Sequence, residues 1–370
     1  MKKIKILQTI RQGKVGGGET HVLELCAHLD KSKYEPVVLS FTDGEMVGEL
    51  QKRNIRTKVI HTETAFDRKI WKQVTAFVKE EKFDIIHAHG TRACSNSFWS
   101  AKKANLPLIY TVHGWSFHDN QNFIVKKLRH FSEAFLTAKA TKTICVSVSN
   151  QDEGKRIFNL KRSQVVYNTI NTEKFNPDKQ YVNLRNDLGI AVDKIVVGYI
   201  VRFTVQKDPL TMVKAMRKIV EQNKNVVLLA IGEGPLKEDA VALTKELGIE
   251  NNVVFQPFRR DIPEILYAID IYCLPSLWEG LPIGVLEAMS MQKPVVATPV
   301  NGTKELIRHN ETGVLVAPQS PQKLSNAILR LAKDKELRTR LATKAKDFVR
   351  NHFYMQNMVD KVQDIYEGVV

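Results

Sequence analysis

Short apolar runs alternate along the chain with longer stretches in which hydrophobic residues recur at helical spacing. Each run has the length and composition of a buried strand, and the stretches between the runs suit amphipathic helices. In the first half of the chain the predicted strands are Lys5–Ile10, Glu35–Phe41, Ile55–Ile60, Ile85–Ala88, Leu108–Val112 and Thr143–Val146. In the second half they are Ile195–Val201, Val226–Ile231, Val253–Gln256, Ile271–Leu274, Val295–Ala297 and Val314–Val316. Such alternation is typical of βαβ units, which build parallel sheets with right-handed crossovers.

One polar stretch separates the two sets of strands. Residues Asn168–Asp193 contain Pro177 and are predicted to link two α/β domains, because 370 residues exceed what one hydrophobic core usually supports. After the final strand, Asp347–Val370 is predicted as one or two helices. Ligands of open α/β sheets bind beyond the carboxyl ends of the strands, so the residues that follow each strand are the candidates for chemistry.

Composition indicates a soluble globular protein, with 43% hydrophobic and 26% charged residues. No apolar run reaches the roughly 18 residues that a membrane-spanning helix needs. Met1–Ile10 lacks the apolar segment of a signal peptide, so a cytoplasmic location is predicted. The cysteines form no CxxC pair and are predicted to be buried and reduced: Cys26, Cys94, Cys145 and Cys273.

The net charge of +15 is uneven, with +12 in residues 1–180 and +3 in the remainder. A basic half favours nucleic acid, anionic lipid or phosphorylated substrates as partners. Nucleic acid is the weakest of these, and none is predicted, because the chain has neither zinc-finger spacing nor an RNA-binding aromatic signature.

The segment from Gln121 to Lys142 concentrates this charge. Its cations are Lys126, Lys127, Arg129, Lys139 and Lys142, against the single acid Glu133, with Phe123, Phe131 and Phe135 interleaved. A basic amphipathic helix of this kind can lie in a lipid interface. An anionic membrane surface at the inner face of the membrane, or an anionic acceptor, is therefore a candidate partner. The alternative is that the phenylalanines pack into the core while the lysines are solvated.

Two short features carry candidate anion-binding groups. Gly16–Glu19, which reads Gly-Gly-Gly-Glu, precedes the predicted helix Thr20–Leu29. Its glycines would allow close approach to a ligand, and the helix start offers free N–H groups, although a plain flexible turn fits as well. Arg202 and Lys207 follow the strand Ile195–Val201 and suit the oxygens of a diphosphate, the alternative being two solvated cations.

The segment Pro275–Met291 is the strongest local signal. Its proline and glycines cannot lie in one continuous helix, so Glu279 is predicted on a loop at a strand end and Glu287 near a helix start. A helix start can hold phosphate, and carboxylates can accept hydrogen bonds from sugar hydroxyls. The alternative for Glu287 is an ordinary helix charge.

Histidines follow two strands of the first half, His87 and His89 after one and His113 after another. A lone histidine is more often structural than catalytic, and His113, beside Gly114, is the better candidate of the three. No Asp-x-Asp pair exists, and His87 with His89 lacks a nearby set of further ligands. No metal and no cofactor are therefore predicted.

In this order, the motifs resemble those of the retaining GT-B glycosyltransferases of family 4, also called glycosyl transferases group 1, over nearly the whole chain. The matching segments are Gly-Gly-Gly-Glu at 16–19, His-Ala-His at 87–89, Thr-Val-His-Gly at 111–114, Val-Ser-Val-Ser at 146–149, Asn-Thr-Ile-Asn-Thr-Glu-Lys-Phe at 168–175, Val-Arg-Phe-Thr-Val-Gln-Lys-Asp at 201–208, Ile-Gly-Glu-Gly-Pro-Leu at 231–236, and Glu279 with Glu287 in the block 275–289. The last block is highly specific, whereas the glycine loop alone is not.

The resemblance implies two Rossmann-like parallel-sheet domains facing a central cleft. Residues 1–175 would form the acceptor domain and residues 176–350 the nucleotide-sugar donor domain, while 351–370 would be a helix crossing back to the first domain. Two departures from the family pattern stand at Asn168–Asn171, where Asn-Gly-Val-Asp is common, and at Val300–Thr303, where a second glycine is common. The first departure lies in the predicted linker, and the second lies where the resemblance implies contacts to the donor sugar.

The resemblance also implies roles. Arg202 and Lys207 would bind the donor diphosphate, Glu279 the transferred sugar and Glu287 the ribose, while His113 would line the reaction centre. The implied catalytic residues are His113, Glu279, Arg202 and Lys207. The implied donor-binding residues are Gly17, Gly18, Arg202, Lys207, Glu279, Gly280, Leu281, Pro282, Ile283, Gly284 and Glu287.

The function expected from these features is retaining, metal-independent transfer of a sugar from a nucleotide-sugar, which is a substrate and not a cofactor. The acceptor would be a saccharide or a lipid-linked molecule in the synthesis of cell-surface polysaccharide or glycolipid. Two alternatives stay open at this point. One is a nucleotide-sugar epimerase of similar fold, and the other is a non-catalytic partner of another transferase.

Overall fold

The computed structural model describes residues 2–13, 16–118 and 121–370. The chain divides into two compact units. The first unit comprises the residues up to Asn168 together with Met355–Val370, and the second unit comprises Thr169–Tyr354. The predicted boundaries, after residues 175 and 350, therefore lie a few residues from those of the structure.

The segment 169–175 belongs to the second unit because hydrogen bonds tie it there. The Ile170 N–H donates to the Phe353 carbonyl at 3.0 Å, and the Ser290 hydroxyl donates to the Phe175 carbonyl at 2.6 Å. The stretch predicted as a linker is likewise part of this unit. The Arg185 guanidinium donates to the Ala268 carbonyl and to the Asp270 carboxylate, both at 2.9 Å.

The first unit is built on a seven-stranded sheet in the order β3-β2-β1-β4-β5-β6-β7, with every pair parallel. The strands are β1 (Ile4–Ile10), β2 (Tyr34–Ser40), β3 (Arg56–Val59), β4 (Ile85–His89), β5 (Leu108–Val112), β6 (Lys142–Cys145) and β7 (Ser163–Val165). The sequence did not predict β7, because its three residues carry no apolar run. All the other strands were predicted.

Helices cover this sheet. They are α1 (Gly17–His28), α2 (Glu45–Lys52), α3 (Arg68–Glu81), α4 (Thr91–Ala104), α5 (Phe123–Lys139), α6 (Val148–Phe158) and, from the end of the chain, α14 (Met355–Glu367). Helix α14 buries Val359, Val362 and Tyr366 in one cluster with Ile6 of β1 and Ile85 of β4. The last helix therefore completes the core of the first unit.

The second unit contains a six-stranded parallel sheet in the order β10-β9-β8-β11-β12-β13. Its strands are β8 (Ile195–Ile200), β9 (Val226–Ile231), β10 (Val253–Gln256), β11 (Ile271–Leu274), β12 (Val295–Ala297) and β13 (Val314–Leu315). Its helices are α7 (Pro209–Gln222), α8 (Lys237–Glu246), α9 (Ile262–Ala268), α10 (Ile283–Ser290), α11 (Thr303–Leu306), α12 (Pro321–Lys333) and α13 (Lys335–His352). Near-continuous apolar strands such as β9 are typical of sheets that are buried on both faces.

Both sheets reverse their strand order at one place, between β1 and β4 in the first unit and between β8 and β11 in the second. Ligands of doubly wound sheets bind at this switch point, beyond the carboxyl ends of the strands. The order confirms the predicted fold class of two parallel-sheet α/β domains. None of the helices in the described part of the chain has the length and apolarity required to cross a bilayer.

Candidate active site

At the switch point of the second unit an ion pair joins two loops. Lys207 follows β8, Glu279 follows β11, and the Lys207 ammonium lies 2.5 Å from Glu279 Oε1. The Glu279 side chain is only 6% exposed. A buried carboxylate requires such a partner, because an unpaired charge in this position would carry a large desolvation penalty.

Further hydrogen bonds hold these two loops in register. The Gln206 amide donates to the Trp278 carbonyl at 2.8 Å and reaches Glu279 Oε2 at 3.4 Å, while the Leu277 N–H donates to the Gln206 carbonyl at 2.8 Å. Tyr199, on β8, donates to the Lys207 carbonyl at 2.8 Å. Both charged side chains are therefore positioned by the backbone around them.

One glycine outside the block 275–289 is also needed for the packing of the loop after β11. A Cβ built on Gly302 would lie 2.0 Å from the Gly280 carbonyl oxygen, which no side chain could tolerate. Gly302 lies in the segment 300–303, where the sequence departs from the family pattern. Gly302 thus lies where the loop after β11 comes close to the backbone of the segment 300–303.

Helix α10 presents its first turn at the same edge. Its N-cap, Pro282, offers no side-chain hydrogen bond, so the first N–H groups at Ile283 and Gly284 are open to an anion. Gly284 has room for no side chain, because its Cβ would lie 2.5 Å from the Tyr272 hydroxyl. Leu281, by contrast, is buried and contributes backbone only.

Glu287 lies one turn into α10 and is half-buried. Burial raises the pKa of Glu287 to about 7, and the nearby Lys174 ammonium opposes the shift. A carboxyl with this pKa changes charge near neutral pH, which is typical of a functional position.

Arg202 is exposed on the loop after β8. Among the residues that the structure describes, its guanidinium has no hydrogen-bond or ion-pair partner. The structure thus brings the predicted donor residues of the second unit to one sheet edge: Arg202, Lys207, Glu279, Gly280, Leu281, Pro282, Ile283, Gly284 and Glu287.

The remaining predicted residues lie in the first unit. The sequence analysis placed Gly17 and Gly18 before the helix. In the structure they form the first turn of α1. The ideal Cβ position of Gly18 is 3.2 Å from Cδ2 of His113, which follows β5, so the absence of a side chain lets the helix start approach the imidazole. This contact places both glycines and His113 at the switch point of the first sheet.

Strand β4 extends to His89, so both His87 and His89 lie inside it, whereas the predicted strand ended at Ala88 and the two histidines were expected at its end. Two histidines are tolerated in a buried strand because all four ring nitrogens have a partner. His87 bonds to the Tyr366 and Thr111 hydroxyls, each at 2.7 Å. His89 bonds to Gln8 Oε1 at 2.8 Å and to His113 Nε2 at 3.2 Å.

The whole group is held neutral. Burial lowers the pKa of His87, His89 and His113 well below the usual value. It also lowers the pKa of His21 to about 4, although a hydrogen-bonding contact with Asn168 opposes the shift. The His21 ring packs edge-on against His113, with 4.9 Å between the ring centroids.

Three of these histidines could hold a metal. His21, His89 and His113 each offer one ligand atom, and these atoms lie within 4.8 Å of one another. Neutral imidazoles are the form that binds zinc or copper. Within the structure as described, however, His89 Nδ1 and His113 Nε2 already share a hydrogen bond at 3.2 Å. The absence of a metal requirement stays a prediction.

Two buried acids of the first unit have separate roles. Glu19 lies in the first turn of α1, and burial raises its pKa, while Arg11, with its Nε 3.6 Å from Glu19 Oε1, opposes the shift. Glu133, on α5, accepts from the Thr91 hydroxyl at 2.7 Å and from the Tyr110 hydroxyl at 2.8 Å. The single acid of the basic segment therefore points into the core.

Helix α5 consequently presents an apolar and basic face to solvent. Phe123 is 68% exposed, Leu128 63% and Phe131 74%. Phe135, in contrast, packs against Phe98 with 5.3 Å between ring centroids, so the expectation of core packing holds for this phenylalanine alone among the three. We call the exposed face of α5 the α5 surface; it comprises Phe123, Ile124, Val125, Lys127, Leu128, Arg129 and Phe131.

Beside the α5 surface lies a groove of about 440 Å³ between α3, α4 and α5. Its lining is mainly aromatic and comprises Phe66, Arg68, Trp71, Phe98, Trp99, Phe131, Ser132 and Phe135. Cations stand over its rings, with Arg68 6.0 Å from the centroid of Trp71 and Lys103 5.1 Å from that of Trp99.

Sequence reasoning missed three polar residues of the first unit that join the histidines: His21, Gln8 and Tyr366. His21 follows the glycine motif by only three residues, and a search for polar residues on the buried face of that helix would have found it. Gln8 lies inside an apolar strand. Tyr366 is 358 residues away from it in sequence, so no local pattern could have paired the two.

Known proteins resemble the chain along most of its length. Residues 15–174 match the family model Glycosyltransferase Family 4, and residues 181–348 match Glycosyl transferases group 1. The chain is 30% identical over 302 residues to the UDP-Gal:alpha-D-GlcNAc-diphosphoundecaprenol alpha-1,3-galactosyltransferase of Escherichia coli, covering 79% of this chain and 77% of that protein. It is 25% identical over 314 residues to the N-acetyl-alpha-D-glucosaminyl L-malate synthase of Bacillus anthracis, covering 82% and 80%.

Among solved structures, the fold is similar to that of Anabaena HepE in complex with UDP and glucose. The TM-score is 0.88 at 23% identity, over 99% of this chain and 100% of that one. This likeness concerns the fold alone, whereas the family models and the E. coli relative concern the sequence. Family membership favours a transferase over both the epimerase and the non-catalytic partner. The chain therefore belongs to the family 4, group 1 glycosyltransferases, and it is a glycosyltransferase of the GT-B fold.

Proposed function

We propose that the protein transfers a sugar from a nucleotide-sugar to a lipid-linked saccharide with retention of the anomeric configuration. The observation that carries the proposal is the Lys207–Glu279 pair, fixed 2.5 Å apart at the switch point of the second unit beside the open first turn of α10. A donor needs these elements together: cations for its diphosphate, amides for its phosphate oxygens and a carboxylate for its sugar.

The cations and amides supply the electrostatic part of the reaction. Arg202 has no partner among the described residues, and Lys207 keeps ammonium protons beyond the one that it gives to Glu279. Both can therefore neutralise charge that develops on the departing diphosphate, a role that does not require a metal.

Glu279 serves as an orienting group in this scheme. One of its oxygens is held by Lys207 and the other faces the Gln206 amide. A carboxylate held in this way suits hydrogen bonds to sugar hydroxyls better than attack on the anomeric carbon. We therefore favour departure and attack on the same face of the sugar, through an oxocarbenium-like transition state. Glu287 would accept hydrogen bonds from the ribose.

The acceptor assignment rests on a relative and on a surface. The E. coli relative acts, by its name, on a diphosphoundecaprenol-linked sugar. The α5 surface combines exposed apolar side chains with cations, which is the pattern of a helix that lies in an anionic lipid interface. We infer a peripheral protein at the inner face of the membrane that takes part in cell-surface polysaccharide or glycolipid synthesis.

A donor screen tests the proposed reaction. Thermal shifts with UDP-, GDP- and ADP-sugars identify the donor, because stabilisation follows occupancy of the site. Transfer is then assayed with that donor and polyprenyl-diphosphate-linked N-acetylglucosamine, and the product linkage is read by NMR. Stabilisation by one donor class and a retained anomeric configuration are expected. An inverted product would remove retention from the proposal, and isomerised donor without transfer would favour an epimerase.

Liposome sedimentation tests the membrane part independently. Binding to anionic vesicles at low salt is expected, with loss at high salt or on neutral vesicles. Leu128→Ser with Phe131→Ser should weaken binding. Phe258→Ser, which removes an exposed phenylalanine from the second unit, should not. Failure of the wild type to bind anionic vesicles even at low salt would leave a soluble anionic acceptor as the partner of this face.

A further inference from the structure

Five hydrogen bonds in the first unit form one continuous chain of buried groups, which we call the histidine chain. It runs from His113 Nε2 to His89 Nδ1 (3.2 Å) and from His89 Nε2 to Gln8 Oε1 (2.8 Å). It continues from Gln8 Nε2 to the Tyr366 hydroxyl (2.8 Å), from there to His87 Nδ1 (2.7 Å), and ends with His87 Nε2 at the Thr111 hydroxyl (2.7 Å).

The orientation of the Gln8 amide gives the histidine chain its direction, because the hydroxyls and the neutral imidazoles can each donate or accept. Burial lowers the pKa of all three imidazoles, so each is neutral and carries one proton. Gln8 Oε1 can only accept, hence His89 carries its proton on Nε2 and accepts on Nδ1. His113 must then donate to His89 from Nε2. Its Nδ1 is left with a lone pair.

Tyr366 holds this direction from the other side of Gln8. Its hydroxyl accepts from the Gln8 amide and gives its own proton to His87 Nδ1, which leaves His87 to donate from Nε2 to Thr111. A hydroxyl can donate or accept, so Tyr366 keeps the Gln8 amide nitrogen towards α14 and the amide oxygen towards His89 while its own proton goes to His87 Nδ1. Without the hydroxyl, the amide could rotate by half a turn, and every proton between Gln8 and His113 would move to the opposite nitrogen.

The far end of the histidine chain points to a ligand. His113 Nδ1 is buried and has no hydrogen-bond partner among the described residues, although the His113 ring is half-exposed. A buried polar atom without a partner is costly and calls for an explanation. A lone pair in this position can accept a hydrogen bond from a hydroxyl or N–H that a substrate brings.

We propose that Tyr366 is a positioning residue, which acts through Gln8 and His89 to keep His113 in the tautomer with a proton on Nε2 and a free acceptor at Nδ1 for a sugar hydroxyl. The inference rests on the proposed function only in placing His113 at the reaction centre. It assigns to the last helix of the chain, beyond its packing against β1 and β4, control over a hydrogen-bonding group at the switch point.

Nitrogen-15 NMR of histidine-labelled protein tests the tautomer without any substrate, because protonated and bare ring nitrogens resonate far apart. In the wild type, His113 Nδ1 should be bare and Nε2 protonated. Tyr366→Phe should give a mixture of both tautomers at His89 and His113. The matched control is Tyr34→Phe, which removes a neighbouring hydroxyl that bonds to Glu367 outside the histidine chain. Tyr34→Phe should leave the spectrum unchanged.

Transfer assays supply the second readout. Tyr366→Phe should lower kcat by about tenfold, as is typical when an outer hydrogen-bond partner of a site is removed, with little change in donor affinity. Tyr34→Phe should keep the wild-type rate. A protonated Nδ1 on His113 in the wild type would overturn the proposal even if transfer is measured. A wild-type spectrum with a bare Nδ1 would uphold the tautomer even if no donor is found. A Tyr366→Phe spectrum that keeps the wild-type tautomers at His89 and His113 would overturn the role of Tyr366. If Tyr366→Phe fails to fold, His87→Phe, which releases the Tyr366 proton from His87, takes its place and should give the same mixture of tautomers.

Discussion

The two units place polar groups at equivalent switch points but build them from opposite kinds of side chain. In the second unit the site is charged, with Arg202 exposed, Lys207 paired to Glu279, and a carboxyl at Glu287 that titrates near neutral pH. In the first unit the site is neutral, because burial holds His87, His89, His113 and His21 without charge. The same topology thus carries charged side chains at one sheet edge and neutral, hydrogen-bonded side chains at the other.

The difference has a physical reason. A diphosphate carries charge that only cations and oriented N–H groups can balance, so the second unit keeps charged side chains at the sheet edge. A sugar hydroxyl is neutral and is recognised by donors and acceptors of defined direction. A buried network of neutral groups supplies these without the desolvation penalty of an unpaired charge. The comparison predicts that the two units respond differently to mutation, to pH and to metal.

The largest effect is expected at the ion pair. Glu279→Gln and Lys207→Ala should each lower kcat at least about a hundredfold, because preorganised charge at the leaving group and the sugar is lost. Lys207→Ala should also lower the free energy of unfolding, by about 3 kcal/mol, since it leaves Glu279 buried without its partner. Rates and urea unfolding of both variants check this.

Lys214→Ala is the matched control, because Lys214 is an exposed lysine on α7 of the same unit. It should change neither rate nor stability. Near-wild-type rates for both Glu279→Gln and Lys207→Ala would remove the charged half of the comparison and leave the second unit without an assigned site.

The second effect concerns stability against pH in the first unit. The pKa of His21 falls from 6.5 to about 4 on folding, so the unfolded chain binds more protons between these values. The contribution of His21 is therefore fully present above pH 6.5 and is lost as pH falls towards 4. The free energy of unfolding should drop by about 2 kcal/mol from this residue between pH 8 and pH 5.

Urea unfolding at pH 8 and pH 5 measures that drop. In His21→Gln the drop should be smaller than in the wild type, whatever the variant costs at pH 8. His61→Gln, which alters an exposed histidine of the same unit, should keep the wild-type drop. Equal pH dependence in His21→Gln and wild type would mean that His21 is not held neutral by burial.

Sequence patterns predicted the positions of the candidate site residues better in the second unit than in the first. In the second unit Arg202 and Lys207 follow β8 and Glu279 follows β11, so a rule about strand ends singled them out as candidates. Glu287, one turn into α10, was singled out by the proline and glycines of its segment. In the first unit the same rule found His113 but misplaced His87 and His89, which lie inside β4. The predicted strand ended at Ala88, one residue before the end of β4, because the apolar pattern gave no sign that Gln8 would make His89 tolerable in the core.

The histidine chain was beyond reach for another reason. Gln8 and Tyr366 stand within apolar patterns and satisfy each other only after α14 has packed on the first sheet. Side chains on α5 show the same limit. Spacing put Phe131 and Phe135 on one helical face, yet Phe131 is exposed and Phe135 packs against Phe98, a distinction that depends on where α3 and α4 lie.

A third, smaller effect is expected at Glu287. Its pKa of about 7 means that the carboxylate form, which under the proposed function accepts hydrogen bonds from ribose hydroxyls, becomes populated as pH rises through 7. Donor affinity should increase by roughly tenfold between pH 6 and pH 8. In Glu287→Gln the affinity should be weaker at pH 8 and independent of pH in this range.

Calorimetric titration with the donor identified by screening measures these affinities, and its diphosphate diester does not titrate in this range. Glu246→Gln, an exposed position on α8, should keep the wild-type profile. A pH-dependent affinity that persists in Glu287→Gln would assign the titrating group elsewhere in the second unit.

The smallest effect should come from removing metal. The sequence contains no Asp-x-Asp pair, and Arg202 with Lys207 already places two cations where a diphosphate would leave. Transfer measured after exhaustive chelation should therefore proceed at the untreated rate. The place in the described structure where a metal could enter is His21, His89 and His113, whose ligand atoms lie within 4.8 Å of one another. A metal there would have to displace the hydrogen bond between His89 and His113, so added zinc should inhibit if it binds, and His21→Gln should relieve that inhibition. Loss of transfer on chelation, restored by magnesium or manganese, would show that the cations of the second unit are not sufficient for the leaving group.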